Sequence, residues 1–290
     1  MSDYVSLNGQ IVPYEHARIA PFDSGFLHGI GLFETMRAKA GRVELLDKHL
    51  ARLQASSLEL QLSVEPSAEA ISASISELLE ANNLSDARIR LTVSHGDMTA
   101  ADPDQTDPPH TVLLSAAQFT AYPPQFYEQG ITVEISNFYQ NPDSPLCGHK
   151  SISYMDRMFV LRSAQKTGAA EAIWFTAGEK WLAEGCISNV FLVNKVGELC
   201  TPPLRMPGKP HLRLVLPGIM RQLVIDTARQ RQLKVEEKML RVEDLLLASE
   251  IFITNSIMGI TPVVRVERHP VGNEKPGSVT QMLRTAMAQV

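Results

Sequence analysis

Lys150 follows a loop rich in proline, cysteine and glycine (residues 145–148) and precedes an amphipathic stretch carrying Tyr154, Met158 and Leu161. An amine sheltered at the end of a strand or helix loses solvation, and its neutral form becomes a nucleophile able to form a Schiff base. A solvated surface lysine is the ordinary alternative. Glu184 stands just ahead of an apolar run, Val190-Phe191. A buried carboxylate there would keep a heterocyclic nitrogen protonated and make its ring a better electron sink; a solvated turn glutamate is the ordinary alternative. Leu216-Pro217-Gly218-Ile219-Met220-Arg221 opens an amphipathic helix. Its first N–H groups and the helix dipole make an anion site, or simply a common helix start. Finally, Asn255 and Ser256 close an apolar run at Phe252–Thr254. Their amide and hydroxyl suit a phosphate or a substrate carboxylate, and equally a turn.

Other constellations carry less. Cys147 and His149 are two apart in a loop, with no third group to orient them as thiol and base. The eight histidines lack metal-ligand spacing, so no metal is expected, and three cysteines without a CxxC pair argue against a disulfide framework. The formal charge of −5 offers no basic excess for nucleic acid. No apolar run reaches the ~20 residues of a membrane span. The opening residues carry neither a cationic flank nor an apolar core, so a reducing cytoplasm is the expected setting.

The elements that must position these residues follow from periodicity. With 290 residues, 44% of them hydrophobic, the chain is long enough for one large or two modest domains with a real core. A hairpin over Tyr4–Val12 turns at Asn8-Gly9, and a glycine-rich stretch from Pro21 to Gly31 leads into an alternating strand over 32–37. Leu46, Leu50, Leu53 and Leu60 mark one helix, and Ile71, Ile75, Leu78 and Leu79 a second, ending near Asn82-Asn83. Strands are predicted at 88–94 and 111–117, separated by an acidic surface loop over 97–109. Two prolines in Phe119–Phe126 break both periodicities, giving a domain over 1–118, a linker over 119–126 and a second domain over 127–290. There, strands at 131–136, 171–175, 190–193, 251–254 and 263–266 interleave with helices at 152–167, 218–233 and 242–248. No GxGxxG follows a strand, so a Rossmann fold is a poor fit.

Taken in order, PFDSGFLHGIGLFETMR, LLDKHLARL, HKSISYMDRM, LAEGCISNVFLV, TPPL, LPGIMR and EIFITNSIMGITPV resemble the class IV aminotransferases, the fold-type IV pyridoxal-phosphate enzymes. That family includes branched-chain and D-amino-acid aminotransferases and 4-amino-4-deoxychorismate lyase. The resemblance spans nearly the whole chain. It implies an α/β fold with a smaller N-terminal domain, a larger C-terminal pseudo-barrel domain and the cofactor lying between them. It also implies a homodimer acting on a small amino-group substrate. By resemblance Lys150 holds pyridoxal phosphate covalently and moves the proton, and Glu184 partners the pyridine nitrogen. Arg52 is the cationic phosphate ligand, and Gly218, Ile219, Met220 and Ser256 complete the phosphate cup. Tyr154 matches a tyrosine that bonds the cofactor's phenolic oxygen, one residue closer to the lysine than in branched-chain enzymes.

The TNSIMGI segment, like the PFDSGFLHGIGLFETMR run that contains His28, resembles the lyase version, which makes Asn255 and His28 candidate substrate contacts. Where many relatives have an arginine before the glycine of residues 88–96, this chain has His95, a partial charge near neutrality; Arg90 is the candidate replacement for binding carboxylate. The stretch 204–215 is longer than the usual link and either reshapes the substrate pocket or is a neutral insertion. The resemblance thus implies a lyase releasing pyruvate to give 4-aminobenzoate for folate synthesis, with a branched-chain or D-amino-acid aminotransferase as the alternative.

Overall fold

The computed structural model describes residues 3–62, 67–99 and 110–287. It divides into two compact units, one of Met1–Thr120 with His149–Tyr154, the other of Ala121–Gly148 with Met155–Val290.

In the first unit the order is β1 (Tyr4–Leu7), β2 (Gln10–Pro13), α1 (Ser24–His28), β3 (Gly31–Lys39), β4 (Arg42–Val43), α2 (Leu46–Glu59), α3 (Ala68–Ala81), β5 (Ala87–Ser94) and β6 (Thr111–Gln118). The six strands form one sheet in the order β2-β1-β6-β5-β3-β4. Alternation along β3 and β5 sends Leu32, Met36, Ile89, Leu91 and Val93 to the face covered by α2 and α3, where they pack with Leu53, Ile75 and Leu78. The opposite face carries Phe33, Thr35 and Arg37 from β3, paired across the ladder with Thr92, Arg90 and Arg88 of β5.

The glycine-rich stretch is a short capped helix rather than a loose loop. Asp23 accepts from the N–H groups of Gly25 and Phe26, and Gly29 closes α1 at φ 69°. Asp23 also accepts from Ser94 (2.7 Å) and Thr111 (2.6 Å), which ties α1 to the sheet. The acidic loop predicted over 97–109 lies, from residue 100 on, outside the described residues.

The second unit runs α4 (Gln125–Glu128), β7 (Ile131–Gln140), α5 (Met155–Lys166), β8 (Glu171–Thr176), β9 (Leu182–Gly185), β10 (Asn189–Val193), β11 (Leu199–Thr201), β12 (Arg205–Met206), β13 (Lys209–Arg213), α6 (Ile219–Gln230), β14 (Val235–Glu237), α7 (Val242–Leu246), β15 (Glu250–Asn255), β16 (Gly259–Val266), β17 (His269–Pro270) and α8 (Ser278–Met287). Nine strands form its main sheet, with the path β14-β11-β10-β15-β16-β7-β8-β9 and β17 on β16. β7 and β8 run parallel and enclose α5 in sequence, as parallel β11 and β14 enclose α6. Ile173, Leu182, Val190, Leu192, Ile251 and Ile253 fill the core on one face of this sheet.

One expectation needs correction: residues 149–154, predicted within the C-terminal domain with 152–154 in its first helix, belong to the first unit, and α5 begins at Met155. Leu32 and Ser151 form a bridge, Phe33 donates its N–H to the Lys150 carbonyl (2.8 Å), and Ile152 donates to the Gly31 carbonyl (3.0 Å). Gly31 makes this possible: a Cβ there would stand 2.5 Å from the Val93 carbonyl oxygen and 2.9 Å from Ile152 Cδ1. The longer stretch 204–215 is built around a hairpin. β12 and β13 pair as a hairpin, and Leu214 closes it onto the Leu204 carbonyl (2.8 Å).

Candidate active site

In the first unit Lys150 lies on the sheet face away from α2 and α3. Its Nζ sits 4.2 Å from the centroid of the Phe33 ring and 5.8 Å from that of Tyr154. Those two rings meet edge to face at 5.3 Å. Arg90 stacks its guanidinium on Phe33 at 3.8 Å and donates to Thr92 (3.1 Å). Three candidates chosen from sequence, Lys150, Tyr154 and Arg90, therefore gather around one aromatic ring that sequence reasoning passed over. Tyr154 precedes α5 instead of lying within it.

Arg52, on α2, reaches the other face of β3. Its Nε donates to Glu34 Oε1 (2.8 Å) and its Nη2 to Oε2 (2.5 Å), a bidentate pair with both side chains buried. His49, one helical turn before it, contacts Glu34 Oε2 at 2.7 Å. Burial alone would raise the Glu34 carboxyl. The Arg52 guanidinium, with hydrogen bonds from His49 and Arg52, outweighs burial and brings it down to about 2. Burial pushes the His49 imidazole below its usual value against the pull of Glu34, and the nearby cations Arg52 and Lys150 push the same way. Glu34 was invisible as a site residue because a strand position with alternating neighbours reads as core.

The second unit holds the carboxylate. Glu184 lies on β9, not in a turn, and is almost fully buried. Its Oε1 accepts from Arg157 (2.7 Å); its Oε2 accepts from Asn189 Nδ2 (3.2 Å) and from the Leu216 N–H (2.9 Å). Three donors on two oxygens leave acceptor capacity for one more. Arg157 is anchored in turn on the Gly185 carbonyl and Gln140 Oε1, each at 3.0 Å. Neither Arg157 nor Asn189 was singled out from sequence, although both lie inside the family-like motifs.

The same Asn189 and Leu216 lead to the anion site. Asn189 Nδ2 also donates to the Leu216 carbonyl (3.0 Å), so the peptide before Pro217-Gly218 is held from both sides. Gly218 is the N-cap of α6 in extended conformation, with no side chain capping the helix. A Cβ at Gly218 would stand 1.9 Å from Asn189 Oδ1, so only glycine fits. Ile219 and Met220 form the first helical positions, where N–H groups aim along the helix axis.

The remaining candidates lie at element ends and in turns. Asn255 was expected to face substrate. Its Oδ1 instead accepts from the N–H groups of Ile257 (2.9 Å) and Met258 (2.7 Å), and its Nδ2 donates to the Ile187 carbonyl, so the amide organises the β15–β16 turn. Ser256 sits half-buried in that turn. His95 places Nδ1 on the Leu62 carbonyl (3.1 Å) with its ring 5.6 Å from that of His110. His28 is exposed at the end of α1. Burial pushes the Cys147 thiol up to about 12, and its sulfur bonds Gln140 and the Leu214 carbonyl, which removes it as a nucleophile. Among the described residues Glu198, Cys200 and Glu236 come close enough to share an ion, but Lys234 and Lys238 already pair with Glu236.

Each unit offers groups that suit part of a phosphorylated aldehyde with a basic ring nitrogen: the first an amine beside an aromatic ring and a buried guanidinium held by two hydrogen bonds, the second a buried carboxylate with an open acceptor position and an uncapped helix start. Comparison with known proteins gives the same direction. The family model described as amino-transferase class IV matches residues 31–266. A Methanocaldococcus jannaschii protein provisionally classed as a branched-chain-amino-acid aminotransferase is 33% identical over 97% of this chain and 93% of its own length. The aminodeoxychorismate lyase of Bacillus subtilis is 30% identical over 97% of this chain and 92% of its own. The branched-chain amino acid aminotransferase structure of Escherichia coli superposes with a TM-score of 0.89 at 27% identity, covering 100% of this chain and 95% of that one. The mixed α/β architecture is thus the fold-type IV architecture, and this chain belongs to the class IV aminotransferase family, enzymes that depend on pyridoxal phosphate.

Proposed function

We propose that the protein is a 4-amino-4-deoxychorismate lyase, converting its substrate to pyruvate and 4-aminobenzoate for folate synthesis. The observation that carries this reading is the character of the sheet face beside Lys150. Next to Phe33 it presents Arg90, Thr35, Arg37 and Arg88, where a branched aliphatic side chain would want apolar walls. An anionic substrate suits those guanidinium groups. The lyase-like TNS turn and the Bacillus subtilis relative support the same reading.

Pyridoxal phosphate, when bound, supplies an electron sink for the pair left behind as the carbon bearing the amine loses its proton. Lys150 would hold it by the ε-amine and, once displaced by the substrate amine, take that proton. Glu184, clamped by Arg157, Asn189 and the Leu216 N–H, would keep the ring nitrogen protonated. Arg52, Ser256 and the N–H groups of Ile219 and Met220 would bind phosphate, with Gly218 leaving room for it, and Tyr154 the phenolic oxygen. Arg90 would bind a substrate carboxylate. Proton loss followed by expulsion of the enolpyruvyl oxygen leaves an aromatic amine and pyruvate, with no outside oxidant.

Aminotransfer is the second reading, favoured by the 33% identity to the archaeal relative. Mixing the loaded protein with 4-amino-4-deoxychorismate separates the two. The lyase releases 4-aminobenzoate and pyruvate in equal amounts and leaves the cofactor's visible band unchanged by single amino acids. Loss of that band with a branched-chain or D-amino acid, without 4-aminobenzoate, would establish the aminotransferase.

The same reading has the chain acting in the cytoplasm as a homodimer. Phe22 and Phe26, 54% and 76% exposed, are apolar surface that a second copy would cover. Among the described residues no helix is long and apolar enough to cross a membrane.

A further inference from the structure

Glu171 opens β8 and is almost completely buried, yet no step of the chemistry above uses it. Its carboxyl group reaches the turn over residues 185–188 that joins β9 to β10. Oε1 accepts from the N–H groups of Ala172 (3.0 Å) and Cys186 (3.1 Å). Oε2 accepts from the Ile187 N–H (3.2 Å) and from Ser188 Oγ (3.0 Å). Within the turn Gly185 donates its N–H to the Ser188 carbonyl (2.7 Å). A Cβ on Gly185 would clash with Ser188 Oγ and stand 3.1 Å from Glu171 Oε2, so the turn is folded closely onto the carboxyl group. Burial pushes the Glu171 carboxyl above its ordinary value, and the four donors oppose that rise. Taking a carboxyl out of water is costly, and a turn at the surface would leave its N–H groups to solvent instead.

The turn carries the clamp on Glu184. It separates Glu184, at the end of β9, from Asn189, whose amide donates to Glu184 Oε2 at 3.2 Å. Its first carbonyl, that of Gly185, accepts from Arg157 Nη1 (3.0 Å), while Nη2 of the same guanidinium donates to Glu184 Oε1 (2.7 Å). Two of the three donors on Glu184 are thus placed by this turn, one through the chain and one through a carbonyl. A shift of the turn would move Asn189 and Arg157 together, and with them the direction of the acceptor position that Glu184 keeps open.

We propose that Glu171 is a positioning residue: by gripping the 185–188 turn it holds the Glu184 carboxylate in the orientation that leaves an acceptor position for the ring nitrogen of the cofactor. The inference rests on the reading above of Glu184 as the partner of that nitrogen. Glu171 acts through the turn and takes no part in proton transfer.

Titration of the cofactor-free protein with pyridoxal phosphate and with 1-deazapyridoxal phosphate tests it. The analogue keeps the aldehyde and the phosphate and has carbon in place of the ring nitrogen, so the ratio of the two affinities isolates the contact with Glu184. The wild type should favour pyridoxal phosphate at least tenfold, the worth of one charge-assisted hydrogen bond. Glu184→Gln should bring the ratio to within about twofold of unity. In Glu171→Gln the amide nitrogen faces a backbone N–H whichever way it is turned, so the turn must shift. The ratio should then fall by about threefold or more, with the affinity for the analogue little changed. The visible band of the bound cofactor should move in the same direction as in Glu184→Gln. Should Glu171→Gln fail to fold, Ser188→Ala carries the test: it removes one of the four donors and should lower the ratio by about twofold. An unchanged ratio in the variant that folds, or both affinities weakened alike, would make Glu171 structural only and overturn the proposal. A wild type indifferent to the ring nitrogen would overturn the reading of Glu184, and the proposal with it.

Discussion

Glu34 and Arg52 are joined by two parallel hydrogen bonds, at 2.8 and 2.5 Å, from a helix to the strand beneath it, with both side chains out of solvent. A guanidinium gripped in this way has its plane and position fixed before any phosphate arrives, which lowers the ordering cost of binding one. Glu34→Gln removes the charge and one acceptor of that grip. It should weaken cofactor phosphate binding by on the order of tenfold, about 1.4 kcal/mol, and cost about 3 kcal/mol of folding stability by removing the buried negative charge that faces Arg52. Cofactor titration and urea unfolding measure the two effects; unchanged cofactor affinity would show that Arg52 is structural only.

The same cluster sets an acid limit. Glu34 is held at about 2 in the folded chain against 4.5 when unfolded, so its contribution is fully present above pH 4.5 and is lost as pH falls toward 2. That loss should amount to about 3 kcal/mol. His49 adds to the trend from a higher pH. The unfolded imidazole takes up a proton below about 6.5 while the folded one, lowered by burial, resists it, so stability already declines as pH drops below that value. Urea midpoints between pH 8 and pH 3 should fall monotonically, and Glu34→Gln should flatten the lower part of the curve.

Glu184 and its clamp separate binding from chemistry. Glu184→Gln keeps the hydrogen-bonded shape but removes the charge that would hold the ring nitrogen protonated. Turnover should fall by on the order of 100-fold, with the cofactor still bound. Arg157→Met should shift the absorption of the bound cofactor in the same direction with a smaller loss of rate, because Asn189 and the Leu216 N–H still orient the carboxylate. Full activity in Glu184→Gln would remove this residue from the mechanism.

Gly218→Ala puts a methyl group where Asn189 Oδ1 now stands, 1.9 Å away. Asn189 must move, and with it a donor to Glu184 and the Leu216 carbonyl. The variant should lose about 1–3 kcal/mol of stability and bind inorganic phosphate and cofactor more weakly; thermal melting with and without phosphate measures both. Cys147→Ala, by contrast, should leave turnover intact, and the wild-type thiol should resist Ellman's reagent until the chain is unfolded.

The candidate site could be nominated from sequence because its chemistry depends on residue types that stand out locally. Lys150, Glu184 and the Pro217-Gly218 helix start each announce a chemical capacity, and their order along the chain matches a known family. The strands and the two long helices of the first unit were readable from alternation and from leucine spacing. What was not legible depends on pairing between distant segments. Residues 149–154 return to the first unit because Gly31 and Gly25 leave room for Ile152, a contact no local pattern encodes. Arg157 and Asn189 gain their roles only when β9, β10 and α5 are brought to one carboxylate. Asn255 organises a short strand connection through the two backbone donors that its side-chain oxygen accepts, a role that the motif alone does not reveal.

Borohydride reduction of the pyridoxal-phosphate-loaded protein, followed by digestion and mass mapping, bears most directly on the central claim. The reduced cofactor should appear on the peptide containing Lys150 and nowhere else, with Lys150→Ala losing both the adduct and the visible band. An adduct on another lysine, or a visible band that survives in Lys150→Ala, would contradict it.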